Sequence, residues 1–404
     1  MKHEGTCVMA IHQFNFPTRI QFGPGAVSLL PEALAEAGCS RPLVVTDRGL
    51  ASRPEVRTTE ARLAAAGVEA AVFAGVFGNP VKSQVLAGVE AYRQHRADSI
   101  VGLGGGAALD VAKAIALLVH HPGDLFDYED GKPDARPIDK EIPFWISIPT
   151  TAGTGSEVGR STVISDDTTR VKKILFSQRL LAPRVLVDPE LTLSLPAPVT
   201  AATGMDALTH LAEAYLARDF HPLCDGIALE GLRMVARSLP VAVAYARRLD
   251  AGEGALRDEP EHIEARGSML NAALMGGVAF QKGLGVTHSL AHALSTVCDL
   301  HHGLANGVVI PYAMRFNLEA VPERLGALAA AAGVVGGAPG FITWLERLRA
   351  EIGIPNTLAE VGVIPEQIDA LARAAVADGC HASNPRPVSE ADFRALFTAA
   401  LGTP

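Results

Sequence analysis

The sequence predicts an α/β N-terminal nucleotide-binding domain with a parallel sheet, followed by an all-α C-terminal metal-binding domain. Three observations point there. Short β-rich runs alternate with helical patterns through the first half; β-branched runs nearly vanish after the prolines at 196 and 198; and an aspartate and several histidines stand at helical spacing in the second half. The boundary is therefore placed near those prolines, giving a dinucleotide-binding domain over 1–198 and a helical, catalytic domain over 199–404.

Taken in order, "PLVVTD" (42–47), "AAVFAGV" (70–76), "SIVGLGGG" (99–106), "FWISIPTT" (144–151) and "RVLVDP" (184–189) read as buried strands. Between them, 60–66, 83–96 and 108–119 carry apolar residues at helical spacing. Strand and helix repeated in this way build a parallel sheet covered on both faces, which binds ligands at the carboxyl ends of its strands. From 201 onward the text is Ala/Leu/Glu/Arg helical pattern, with 249–262 expected as an exposed loop.

Composition narrows the function. The chain of 404 residues is 48% hydrophobic and 20% charged with a net charge of −9, which suits a globular enzyme with a small-molecule partner. No Lys/Arg excess exists to neutralise nucleic-acid phosphates or an anionic membrane. No uninterrupted apolar run of ~18 residues suggests a membrane span. The five cysteines, at 7, 39, 224, 298 and 380, form no CxxC pair, so a reducing cytoplasm is the expected location.

"VGLGGGAALDVAKAI" passes from strand through three glycines into helix. Such a turn lets backbone approach a pyrophosphate while the helix start offers free N–H groups. A purely structural turn has the same composition. Asp47 ends a strand where a ribose could be held, or else caps a turn. "SIPTTAGTGSE" (147–157) adds hydroxyls and glycines after another strand, a second cradle for phosphate or nicotinamide amide.

In "TGMDALTHLAEAY" (203–215), Asp206 and His210 are four residues apart on one helix, close enough to share a metal. Thr203 and Asp206 also fit a capping box, which would leave Asp206 a helix cap. "GLGVTHSLAHALSTVCDLHHG" (283–303) holds four of the thirteen histidines, with His288 and His292 on one helix face. One carboxylate and three imidazoles make a complete set for a first-row divalent cation.

"PTTAGTGSE", "GMDALTHLAEAY", "GVTHSLAHALS" and "HHGLANG" occur in the order and spacing of the iron-containing, group III alcohol dehydrogenases. "GGGAALDVAKAI" resembles that family's GGGS-x-x-D-x-AK, and the likeness runs from "FGPGA" near 23 to "NPRPVSEADF" near 384. The resemblance implies metal ligands Asp206, His210, His288 and His302, with His292 a non-ligand histidine facing substrate and nicotinamide. It implies NAD contacts at Asp47, Asn79, Gly105, Gly106, Thr150, Thr151, Thr154 and Lys173. His301 matches no ligand. Two departures stand out: Ala107 replaces the usual Ser, and "FGNPV" replaces the usual PNPT.

The reading that follows is an NAD-dependent, Fe²⁺- or Zn²⁺-dependent alcohol dehydrogenase or aldehyde reductase, with NADP the less favoured cofactor. Its expected substrate is a small alcohol, one that Arg160 and residues 245–262 would bias toward a hydroxy acid, and the chain is expected to form a homodimer or larger homo-oligomer. A non-redox metalloenzyme on the related dehydroquinate-synthase-like scaffold is the alternative. Maleylacetate reductases share the fold but lack this metal set.

Overall fold

The structure, a computed structural model, describes residue 16 and residues 18–402; Cys7 lies outside them. Among the described residues eight strands occur in chain order: β1 (Arg19–Phe22), β2 (Pro42–Asp47), β3 (Ala71–Val76), β4 (Ser99–Gly104), β5 (Phe144–Pro149), β6 (Ser161–Ser165), β7 (Lys172–Phe176) and β8 (Arg184–Val187). Six of them form one sheet in the order β1-β8-β5-β4-β2-β3, every neighbouring pair parallel. β6 and β7 pair antiparallel as a separate hairpin. All six positions of β4 and five of six in β2 are buried, the continuous apolar run that a sheet covered on both faces demands.

The covering helices are α1 (Leu30–Glu36), α2 (Pro54–Ala65), α3 (Lys82–His95) and α4 (Gly106–Leu118). Alternation along the strands divides the core. Val44, Val101, Ile146 and Leu186 pack against Leu34, Val56 and Leu63 from α1 and α2. Their neighbours Leu43, Val45 and Ile100 turn to the other face, against Val85, Val89, Val111 and Ile115 from α3 and α4. Chain order reverses between β2 and β4, so the carboxyl ends of these strands, at Asp47 and Gly104, flank the crevice where such sheets bind ligands.

The second half holds α5 (Ala197–Leu216), α6 (Pro222–Asp250), α7 (Pro260–Ala279), α8 (Val286–Cys298), α9 (His302–Asn317), α10 (Pro322–Ala331), α11 (Gly337–Ile352), α12 (Ile368–Ala377) and α13 (Glu390–Leu401). Every residue of α5 from Thr200 to Leu216 is buried, which makes it the central helix of the bundle. No helix among the described residues is long and apolar enough to cross a membrane.

Three sequence expectations change in detail. The prolines at 196 and 198 open α5 instead of interrupting the chain, since proline is well suited to a helix's first turn. Thr203 is thereby interior to α5, its hydroxyl donating to the Val199 carbonyl at 2.9 Å, so the capping-box reading of Thr203 and Asp206 fails. The 249–262 segment is helical at both ends, leaving an exposed connection broken by a short turn at Gly254–Leu256.

The loop after β5 joins the two halves. Gly153 approaches Thr203 of α5, where an added Cβ would stand 3.0 Å from the Thr203 Cβ. Gly155 has φ +62°, and a Cβ there would meet the Gly277 Cα of α7 at 2.6 Å. Both the backbone angle and the close approach call for glycine. Gly155→Ala is expected to destabilise the protein by about 1–3 kcal/mol from backbone strain, with overpacking adding a similar amount. Urea unfolding of wild type and variant, compared at equal slope, measures it.

Candidate metal centre and cofactor cleft

Helix α5 supplies Asp206 and His210 one turn apart, α8 supplies His288, and His302 stands in the first turn of α9. Asp206 Oδ1 is the common point: it lies 3.3 Å from His302 Nε2, 4.0 Å from His288 Nε2 and 4.0 Å from His210 Nε2. Ligand atoms of Asp206, His288 and His302 all fall within 4.8 Å of one another. His210 stacks on His288 with ring centroids 4.6 Å apart. Asn306 of "HHGLANG", one turn after His302, donates to Asp206 Oδ1 at 2.8 Å.

Burial holds His210 down to about 4 and His302 down to about 3, so both rings are neutral near pH 7 and offer lone pairs. Burial alone would raise Asp206, but His210 and His302 beside it keep it well below the usual carboxylate range. The result is a buried anion ringed by neutral imidazoles. His288 Nε2 and His302 Nδ1 are buried without a hydrogen-bond partner. Such orphaned groups cost roughly 1–3 kcal/mol each. A divalent cation with nitrogen and oxygen ligands answers both the charge and the orphaned His288 lone pair, so the residues present fit the metal that the sequence suggests.

Three supporting residues escaped the sequence reading. Glu213 lies one turn beyond His210 on the same face of α5, and its Oε2 is 2.7 Å from His288 Nδ1. Its oxygens also accept from the backbone N–H groups of Gly285 at 2.9 Å, Thr287 at 2.6 Å and His288 at 3.3 Å, so one buried carboxylate caps α8 and orients the His288 ring. Asp378, just after α12, accepts from His292 Nδ1 at 2.8 Å and from Ser289 Oγ at 2.8 Å. Cys380 Sγ lies 3.8 Å from the same His292 nitrogen. His292 stacks on His302, with centroids 5.1 Å apart. His301 caps α9, its Nδ1 accepting from Leu304 N at 3.4 Å.

The cofactor candidates divide into groups. Asp47 and Gly105 line a cavity of about 300 Å³ with Gly49, Phe77 and Ala107, at the crevice between β2 and β4. Asp47 caps its turn, Oδ1 accepting from Leu50 N at 2.8 Å, while Oδ2 makes no hydrogen bond among the described residues. Gly106 opens α4, and a Cβ there would clash with Thr154 at 2.6 Å; one at Gly105 would press on Thr151 at 3.3 Å. Thr150 is buried beneath, its N–H bonded to the Gly104 carbonyl at 3.0 Å. The glycine turn and the threonine loop are thus in direct contact. Asn79 lines a second cavity of about 360 Å³ with Lys172, Ser295 and Asp299, and donates to Asp299 at 3.1 Å. Gly78, the departure in "FGNPV", has φ +61°, a left-handed turn that suits glycine.

Lys173 is not brought to this cleft. It faces the inner side of the hairpin opposite buried Ile164, and its Nζ pairs with Glu129 at 3.0 Å. Its neighbour Lys172 points the other way and lines the cavity, because successive strand residues alternate between faces.

That cleft face of the hairpin continues from Ser165 and Lys172 through Val163 and Ile174 to Ser161 and Phe176. There a third cavity, about 320 Å³, is lined by Arg160, Ser161, Ile174, Phe176 and Phe280, whose ring is 5.1 Å from His210. Residues 245–262, proposed from sequence to shape the substrate site, do not line it.

Comparison with known proteins decides the family. The profile of "Iron-containing alcohol dehydrogenase" matches residues 17–189, and that of "Fe-containing alcohol dehydrogenase family, C-terminal" matches 200–401. The chain belongs to the iron-containing alcohol dehydrogenase family. It is 39% identical over 392 residues to a 4-hydroxybutyrate dehydrogenase of Cupriavidus necator, covering 94% of this chain and 97% of that one. It is 36% identical over 396 residues to an NAD-dependent methanol dehydrogenase of Bacillus methanolicus, covering 96% and 99%. A solved 1,3-propanediol oxidoreductase superposes with a TM-score of 0.88 at 36% identity, covering 96% of this chain and 100% of that one. Relatives of this iron-containing alcohol dehydrogenase are oxidoreductases acting on CH–OH donors, and the non-redox alternative is not favoured.

Glu213→Gln tests the support of His288. Loss of this outer-shell carboxylate charge is expected to weaken metal affinity about 10–100-fold, measured by competition with a coloured chelator. Unaltered affinity would reduce Glu213 to a helix cap.

Proposed function

We propose that the chain catalyses reversible, NAD-dependent oxidation of a small primary alcohol to its aldehyde, with Asp206, His210, His288 and His302 holding Fe²⁺ or Zn²⁺. The observation that carries this reading is the convergence of three imidazoles on Asp206 Oδ1, with the buried Nε2 of His288 left without a partner among the described residues. A divalent ion held there supplies charge that eases loss of the alcohol's proton, and the nicotinamide supplies the hydride acceptor.

The chain's own residues do the rest. Asp47 reads the adenosine ribose through Oδ2, and the turn at Gly105 and Gly106 admits the pyrophosphate to the N-terminal N–H groups of α4. Lys172, in place of Lys173, offers its ammonium to the cleft. Asp378 accepts from His292 Nδ1, which leaves Nε2 as the ring atom free to take the alcohol proton and hand it toward solvent. Phe280, Ile174 and Phe176 wall the substrate cavity with apolar surface. Hydroxy acids suit Arg160, whose guanidinium lies over Phe176 at 5.2 Å and pairs with no carboxylate among the described residues.

A cytoplasmic setting is supported by the four free cysteines among the described residues. The homodimer or larger assembly is supported by apolar exposure at the hairpin turn, where Val171 is 44% exposed.

NADH formation from a panel of small alcohols and hydroxy acids, measured beside bound metal, tests the reading. His288→Ala is expected to lose metal and turnover together. His292→Ala should keep the ion at Asp206 while turnover falls ~10²–10⁴-fold, the usual scale for a general acid/base. Loss of the Asp206-bound ion in His292→Ala as in His288→Ala would place His292 among the ligands of that centre.

Asp47 sets cofactor choice in this reading, because a 2′-phosphate would bring negative charge against its carboxylate. Arg48 is engaged over the Phe77 ring at 4.3 Å. NAD should be preferred, and Asp47→Gly should narrow or reverse the preference, read from kcat/KM for NAD and NADP at fixed salt. An unchanged ratio would leave Asp47 a turn cap.

A further inference from the structure

Beside the four-ligand centre stands a second cluster with different donor chemistry. His292 Nδ1 is 2.8 Å from Asp378 Oδ2 and 3.8 Å from Cys380 Sγ, and ligand atoms of the three all lie within 4.8 Å of one another. The three come from α8 and from the short segment after α12, two rigidly connected pieces: Asp378 Oδ1 is held by Ser289 Oγ at 2.8 Å and by Cys380 N at 2.9 Å. The second carboxylate oxygen, Oδ2, is the one turned to the imidazole. The His292 and Asp378 side chains are 19% and 18% exposed, so water has access to the open side.

We infer that His292, Asp378 and Cys380 form a second cation site, one that takes a thiophilic divalent ion such as Zn²⁺ with water as the remaining ligand. Nitrogen, oxygen and sulfur donors are all zinc ligands, and the observed spacings of 2.8 Å and 3.8 Å from His292 Nδ1 bracket the separation of donors that share a tetrahedral ion at bond lengths of about 2.0–2.3 Å. Charge also balances. Asp378 contributes one negative charge, and Cys380 a second once its thiol proton passes to solvent, so M²⁺ is neutralised within the cluster. Lys172 is the nearby cation that opposes binding. This sulfur-containing set favours thiophilic metals, while the Asp206 centre contains no sulfur ligand.

Binding at Nδ1 would shift the ring proton of His292 to Nε2, since a neutral imidazole carries only one. Nε2 then donates and can no longer accept. This consequence rests on the proton role proposed for His292; the site itself does not. Surplus zinc would thus slow turnover without displacing the ion at Asp206.

Cobalt separates the two sites by colour, because thiolate bonded to Co²⁺ gives an intense charge-transfer band that Asp/His coordination lacks. Metal-free full-length protein is titrated with Co²⁺. The expected result is binding of two equivalents with a thiolate band for one of them, lost in Cys380→Ser and retained in His288→Ala. Asp378→Asn should also weaken the band-forming site, by at least the ~10–100-fold that loss of an outer-shell residue costs. One equivalent in total, or a band that persists in Cys380→Ser, overturns the proposal. A Cys380-dependent band with no slowing of turnover by added zinc upholds the site and overturns the proton role of His292 instead.

Discussion

One buried carboxylate governs the geometry of the metal centre. Glu213 accepts from three backbone N–H groups at the start of α8 and from the His288 ring, though it belongs to α5. A helix start buried in protein must find acceptors for its free N–H groups, and a buried carboxylate must find donors. Each need answers the other here. Gly285 permits the approach, for a Cβ there would stand 2.7 Å from Glu213 Oε1. Asn384 reinforces the same junction, its Oδ1 accepting from Val286 N at 3.2 Å. With α8 seated in this way, His288 faces Asp206 and His292 falls one turn further along, opposite Asp378.

The same economy of partners operates in the sheet half. Lys113 is only 1% exposed inside α4, yet its Nζ is bonded to Ser156 Oγ and to the Ser161 carbonyl, each at 2.8 Å. Asp110, one turn earlier, accepts from Ser156 Oγ at 2.6 Å and from Val163 N at 3.1 Å. This pair pins the threonine loop and the hairpin to the helix that begins at the glycine turn. The glycine turn, the threonine loop and the hairpin are therefore parts of one hydrogen-bonded unit.

Much of this was legible in the sequence, for definite reasons. Five strands of the sheet declared themselves as unbroken apolar runs, while β1, with four residues and no fully buried position, carried no such signal. The hairpin was missed because polar residues interrupt it, and with it went the alternation that separates Lys172 from Lys173. Asp206, His210, His288 and His292 were visible through their four-residue spacing. Glu213 continued the Asp206–His210 stripe one turn on and could have been found by extending it. Asp378 and Cys380 had no local sign, since they meet His292 from more than eighty residues away and only tertiary packing brings them there.

The hairpin also separates what can vary from what cannot. Its inner residues, Thr162, Ile164 and Leu175, are buried against the α/β body, whereas Ser161, Ile174 and Phe176 line the cavity beside Phe280. None of these three belongs to the proposed metal or ribose contacts. Exchange at such positions alters the volume and polarity of that cavity, while the residues on the opposite face of the same ribbon keep it packed on the body, so one two-stranded element separates shape from support.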